Sequence, residues 1–217
     1  MKPKANRSPS PAAPRRKPRQ SRAHHTSRAL QEAFVRLLVE RGYAGITIRE
    51  IVSVAGTGLG SFYEYFAGKE DLARVCLHLR SKALLMDTRN AALARAGRPL
   101  QEIADAIIDA QVAAHSLHPQ EWGAHYLLER HLSSSDAYRK MYERFVDEWA
   151  AAFATASDAL PDALSHEAAR VSHAVLYGVV SHTFIHAGGV PDMQAMAQFA
   201  RRTVWAYLKG IRLSPAA

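Results

Sequence analysis

The chain reads as all-α, with a small helical domain near its start and a larger helical bundle behind it, and three observations carry that reading. Of its 217 residues 48% are hydrophobic but only 8% aromatic, and alanine runs through every segment, which favours helices packed on helices over sheets rich in Val, Ile and Thr. Apolar residues recur at three- and four-residue spacing along most of the chain. Glycine and proline fall between these periodic stretches, where they punctuate helices rather than break them. About nine helices are expected, in domains at 24–70 and 71–217, preceded by an arm at 1–23.

The arm carries the charge. Nine of the 28 Lys and Arg lie within residues 1–30 and no acid accompanies them, so the formal net charge of +8 belongs to this end and the rest is nearly neutral. Rich in Pro, Ser and Arg, the arm cannot bury enough apolar surface to offset its chain entropy and is expected to be disordered. Its natural partner is a polyanion; a solvated leader is the plainer alternative. The first helix is placed from Thr26 or Ser27 to Arg41, with Leu30, Ala33, Phe34, Leu37 and Leu38 on one face and Gly42 as its stop. Thr47-Ile48-Arg49-Glu50 spells a capping box that opens a second, two-turn helix with Ile48, Ile51, Val52 and Ala55 inward. Gly56-Thr57-Gly58 makes a tight turn. A third helix, 59–66, turns Leu59, Phe62 and Phe66 inward and leaves Gly60, Ser61, Glu64 and Tyr65 outside, with Tyr63 at the border.

Two short helices joined by a glycine turn and braced by a longer one make a helix-turn-helix, whose third helix fits the major groove of DNA. Beyond it, helices are expected at about 69–95, 100–116, one carrying Trp122, Tyr126 and Leu127, one carrying Tyr138, Tyr142, Phe145, Trp149 and Phe153, then 165–187 and 192–211. The breaks are Gly97-Arg98-Pro99, Pro119, Ser133-Ser134-Ser135-Asp136, Leu160-Pro161-Asp162 and Gly188-Gly189-Val190-Pro191.

The stretches Thr47-Ile48-Arg49-Glu50-Ile51, Ala55-Gly56, Gly60-Ser61-Phe62-Tyr63-Glu64-Tyr65-Phe66 and Lys69-Glu70-Asp71-Leu72 together resemble the signature of the TetR/AcrR family of transcriptional regulators, over roughly residues 26–75. The resemblance implies a repressor that binds double-stranded DNA at a palindromic operator as a homodimer, and that a small-molecule effector releases. On the family pattern Ser61 touches a base edge, Tyr63 and Tyr65 donate to phosphates, Lys69 grips a phosphate, and Thr47 and Arg49 stand at the groove edge. The chain departs from that pattern at Thr57-Gly58, where Val and then Ser or Thr are usual. Thr57 is therefore expected to take over the cap of the third helix, and one hydroxyl contact to the backbone is put in question. The DNA-contacting set then comprises Arg22, Arg28, Thr47, Arg49, Thr57, Gly58, Leu59, Gly60, Ser61, Tyr63, Tyr65 and Lys69. Plainer readings stand beside it: Tyr63 as core, Thr47 as a cap alone, Lys69 as a solvated charge.

The resemblance also makes the last two helices the dimer interface, with Val171, Ala174, Val175, Gly178, Val179 and His182 on one and Met196, Ala200, Val204 and Tyr207 on the other. The alternative is that this stripe faces its own core. In the middle helices Gln111, His115, Trp122, His125, Tyr126, Glu129, Tyr142, Phe145 and Trp149 combine aromatic bulk with a few polar anchors, which suits a small-molecule pocket; each could equally be core. The helix at 69–95 joins both halves and is the expected lever between them.

No run of 18 apolar residues spans a membrane, no apolar stretch follows the N-terminal bases as in a signal peptide, and Cys76 stands alone, so a cytoplasmic protein without internal disulfides is expected. Gly-x-Ser-x-Gly, phosphate-loop, dinucleotide and His-Glu-x-x-His motifs are all missing, so no catalytic residue and no cofactor is assigned. His115/His118, Glu121/His125 and His182/His186 have helical spacing but no Glu-x-x-His accompanies them, and no metal is expected. The rival classes are a DNA-coating scaffold and, further off, a helical-bundle enzyme.

Overall fold

The computed structural model describes the backbone of residues 18–187 and 189–213 and the side chains of 23–187 and 189–212. Among these residues there are nine helices and no strand: α1 (Pro18–Arg41), α2 (Ile48–Val54), α3 (Leu59–Tyr65), α4 (Lys69–Leu93), α5 (Leu100–Leu117), α6 (Pro119–Leu132), α7 (Ser135–Ala154), α8 (Asp162–His186) and α9 (Met193–Leu213). None is long and apolar enough to cross a membrane.

Two cores form. The first gathers Leu30, Phe34, Leu37 and Leu38 of α1, Ile51 and Val52 of α2, Phe62 and Phe66 at α3, and Leu72 of α4. At about 1.5–3 kcal/mol for each large apolar side chain fully buried, such a cluster can hold the two short helices α2 and α3, which would not persist alone, against the longer α1. The second core lies among α4–α9, around Ile103, Ile107, Ile108, Trp149, Phe153 and Leu176.

Local chemistry sets the helix ends. The capping box forms as its sequence dictates: the Thr47 hydroxyl accepts from the Glu50 amide at 3.3 Å and the Glu50 carboxylate accepts from the Thr47 amide at 2.9 Å. Gly42 and Gly56 leave α1 and α2 at φ 68° and 64°, the left-handed region where a side chain would be strained. Pro119 opens α6 at a position whose N–H would have no helical partner. At the far end Asp158 accepts from the Leu100 amide at 2.6 Å, tying the α7–α8 connection to the start of α5.

Two helix starts differ from expectation: α8 begins at Asp162, three residues before the start expected near Ser165, and the larger shift is at α1. α1 begins at Pro18, not near Thr26, so residues 18–23 are helical rather than part of a disordered arm, and Thr26 and Ser27 lie inside the helix instead of capping it. The segment carries no helix breaker after Pro18, and proline is well suited to a first helical turn. The rest of the arm, with Arg15, Arg16 and Lys17, lies outside the described residues, as does Gly188.

Candidate nucleic-acid interface and ligand cavity

Helices α1 to α3 form the helix-turn-helix, and the buried pair Phe62 and Phe66 fixes which side of α3 faces out. Tyr63 is 56% exposed and Leu59 44% exposed, and with Gly60 and Glu64 they make the outer surface; Ser61 is half-buried. Three expectations are corrected here. Leu59, expected inward, stands in the first turn beyond the reach of the core. Tyr63 and Tyr65 exchange places: three positions on from Phe62, Tyr65 returns toward the buried side, whereas one position on, Tyr63 turns away. Thr57 does not cap α3. Gly58 occupies the cap with no side-chain bond, and the Thr57 hydroxyl is buried without a partner among the described residues.

Charge around α3 is sparse. Arg28 pairs with Glu32, Arg36 with Glu40 and Arg41 with Glu50, while Arg49, exposed at the start of α2 beside Thr47, has no acidic partner among the described residues. Lys69 is otherwise employed. Its Nζ donates to the carbonyls of Tyr43 at 2.9 Å and Ile46 at 2.8 Å, and lies 4.3 Å from the centre of the Tyr43 ring. Lys69 thereby ties α4 to the α1–α2 loop, because a half-buried ammonium takes the acceptors nearest to it, and one of its three N–H bonds is left over. Arg22 sits on α1 with its side chain outside the described set.

A narrow cavity of about 40 Å³, partly open to solvent, lies among α4–α8. Seven of the nine expected pocket residues line it: Gln111 from α5, Trp122, His125, Tyr126 and Glu129 from α6, and Tyr142 and Phe145 from α7. The other two are corrected. His115 stands behind the wall, its ring 3.9 Å from that of Trp122. Trp149 is fully buried in the core against Phe153. Sequence reasoning missed Ser81 and Leu84 on α4, Tyr138 and Met141 on α7, and His173 and Tyr177 on α8. The α8 pair could have been found, since His173 and Tyr177 share one face at i, i+4 spacing, but the outward stripe on the same helix drew the reading away.

The polar groups here are mostly neutral. The Nδ1 of His115 donates to the Gln111 carbonyl at 2.6 Å, which leaves its Nε2 to accept from the Tyr126 hydroxyl at 2.7 Å. Burial pushes its pKa down to about 4, that of His125 to about 3 and that of His173 to about 4. Burial raises the Glu129 carboxyl, an effect partly offset by the Tyr177 hydroxyl, which donates to it at 2.8 Å. Cys76 is an inert thiol, pushed up to about 12 by burial.

Helix α6 belongs to both halves. The face carrying Trp122, His125, Tyr126 and Glu129 lines the cavity, while Leu128 is buried in the first core with Ala124 and Leu132 packed against it. The His131 ring also lies 5.4 Å from that of Tyr43.

On α8 the stripe Val171, Ala174, Val175, Gly178, Val179 and His182 is exposed or half-buried. On α9 the expectation is corrected: Met196, Ala200 and Val204 are buried in their own core and Tyr207 is half-buried, whereas Phe199, 54% exposed, marks the outer side. A hydrophobic stripe on a helix at the edge of a bundle turns toward the nearest apolar neighbour, and for α9 that neighbour is its own α5 and α8.

Residues 30–76 match the bacterial regulatory proteins of the tetR family. An uncharacterised HTH-type transcriptional regulator of Bacillus subtilis (strain 168), YxbF, is 39% identical over 67 residues, which is 30% of this chain but only 17% of that protein. A TetR-like transcriptional regulator from Rhodococcus sp. RHA1 superposes over 85% of this chain and 96% of its own at a TM-score of 0.64 and 15% identity. The transcriptional regulator FadR of Bacillus subtilis, solved in complex with stearoyl-CoA, does so over 82% and 96% at 0.63 and 14%. At such identities the structural likeness is one of fold.

Proposed function

From an N-terminal domain of the tetR family on a chain with the fold of that family's regulators, we propose that this protein is a cytoplasmic, ligand-responsive transcriptional repressor that binds a palindromic operator as a homodimer. The observation that carries the reading is the double membership of α6, which walls the cavity on one side and fills the core behind the reading helix on the other.

Each α3 enters a major groove, with Leu59, Gly60, Ser61, Tyr63 and Glu64 toward the base edges. Thr47, Arg49, Gly58 and Tyr65 flank the groove at the sugar-phosphate backbone, and Arg22 and Arg28 approach from α1. A ligand that fits the cavity only when α6 is displaced moves Leu128 and so the whole three-helix unit. Both α3 helices then lose their register on the duplex. A ligand acts in this way only through its different affinities for the two conformations, and a tenfold to hundredfold release needs roughly 1.4–2.7 kcal/mol of difference. FadR, solved with stearoyl-CoA, is an example of this fold holding a small molecule.

Footprinting on the DNA upstream of the protein's own gene tests the reading. A protected palindrome, its half-sites one or more helical turns apart, is the expected result. Uniform coverage identifies a coating protein instead, and failure to bind at low salt overturns DNA binding altogether.

A further inference from the structure

The cavity's chemistry, considered apart from its place in the mechanism, is one-sided. Its wall contains a carboxylate, Glu129, and no lysine or arginine. Buried carboxylates ordinarily stand beside a cation, since an unpaired charge in low dielectric is costly. Glu129 has no basic side chain within ion-pair distance among the described residues, and its partner is the hydroxyl of Tyr177. The base whose charge acts on Glu129 is its chain neighbour Arg130, which makes no ion pair with it; Arg80 lies outside the wall over the ring of Trp122, paired with Glu121 through one nitrogen while its buried Nη1 has no partner among the described residues. Glu129 also lines the adjoining open groove, where Arg74 and Lys140 are paired with Glu70 and Asp136 and Arg144 stands exposed; Lys82 is exposed in the next groove, and water and salt screen these charges.

Two imidazoles and an amide on the wall can accept from a ligand's N–H groups. His173 is 3% exposed and its Nδ1 has no hydrogen-bond partner among the described residues. His125, on the same wall, makes no side-chain hydrogen bond among the described residues, and a neutral imidazole offers one acceptor nitrogen beside its one N–H. Gln111 gives one of its two amide N–H bonds to the Thr88 hydroxyl at 3.2 Å, which leaves its carbonyl oxygen as an acceptor beside one remaining N–H. Around these acceptors Tyr126, Tyr138, Tyr142, Phe145 and Tyr177 supply ring faces, whose negative quadrupole attracts positive charge.

We propose that the effector is an organic cation, an aromatic ammonium of modest size, whose charge is held by Glu129 and the surrounding ring faces and whose N–H groups are accepted by His125, His173 and Gln111. This deepens the ligand-responsive reading and rests on it. An anionic ligand would enter a wall without a base and meet an acid; a cation favours the ionised form of Glu129 that burial disfavours, which an uncharged ligand cannot do.

Three probes built on one phenethyl frame separate the classes in calorimetric titrations of the full chain: phenethylammonium, phenethyl alcohol and 3-phenylpropanoate. The ammonium is expected to bind at least tenfold more tightly than the other two, and Glu129→Gln to abolish that preference. The assignment is overturned if the propanoate or the alcohol binds as well as the ammonium, if none of the three binds, or if Glu129→Gln keeps the preference. Should the variant fail to fold, the probe series on the unaltered chain decides alone. Gel shifts of the ligand-free protein on upstream DNA keep the two readings apart. A protein that shifts DNA but ignores the ammonium defeats the cation assignment only; one that binds the ammonium and shifts no DNA supports it and defeats the regulator reading.

Discussion

A lysine ammonium has three N–H bonds, and at Lys69 two of them are already taken by the carbonyls of Tyr43 and Ile46 while the charge rests over the Tyr43 ring. Hydrogen bonds to charged groups contribute roughly 1.5–3 kcal/mol when they replace bonds to water. Lys69→Met should therefore lower the stability of the protein by about that amount in urea titrations, and weaken DNA binding by a similar factor at every salt concentration. If stability is unchanged while the salt dependence of DNA binding falls by about one counterion, Lys69 is a phosphate contact after all. Sequence spacing located Lys69 at the start of α4 but could not say where a four-carbon stem would end. The same blindness explains Thr57, whose hydroxyl was given a capping role that the backbone of Gly58 fills without it.

Among the elements, those with a local signal were legible. The capping box, the glycine stops after α1 and α2 and the Pro119 start of α6 are encoded within four residues of the boundary, and each forms where the residues indicate. The pocket was legible in part for the same reason, since aromatic and imidazole groups on α6 and α7 announce themselves. What stayed hidden depends on contacts far apart in sequence: the share of the wall given by α8, and the double role of α6, when α4 alone was expected to link the halves. Gly123 is the hinge point of that second fact. A Cβ built there meets the carbonyl oxygen of Phe184 at 2.9 Å, so α6 and α8 approach backbone to backbone. Gly123→Ala must push α6 away, and overpacking of this kind costs about 1–3 kcal/mol. The expected outcome is a lower melting temperature together with weaker operator binding in the absence of ligand, since α6 is displaced in the direction proposed for the effector. An unchanged melting temperature would mean that the close approach is not needed.

At the scale of the whole molecule, a palindromic operator requires two reading helices at a fixed separation, which one 23.9 kDa chain cannot supply. The outer face of α8 has the features of a surface awaiting a second copy. Ala174 is exposed, Val171, Val175 and Gly178 are half-buried, and a Cβ at Gly178 would meet nothing within 4 Å, so its lack of a side chain serves nothing inside the chain. Phe199 adds a large exposed ring on the neighbouring α9. Small residues on such a face allow helices of two protomers to approach closely and cross at the shallow angle of a four-helix bundle. Placing Arg at the centre of that contact would bury an unpaired charge twice, once from each protomer, because a twofold axis repeats every residue. Ala174→Arg should thus halve the mass seen in sedimentation equilibrium and leave the helical content intact. It should also reduce affinity for the full palindrome by at least a hundredfold while barely changing affinity for an isolated half-site. A variant that stays dimeric would move the interface to another face; an unaltered chain that is monomeric at micromolar concentration would leave the two half-sites to be filled independently, and binding would then rise without cooperativity.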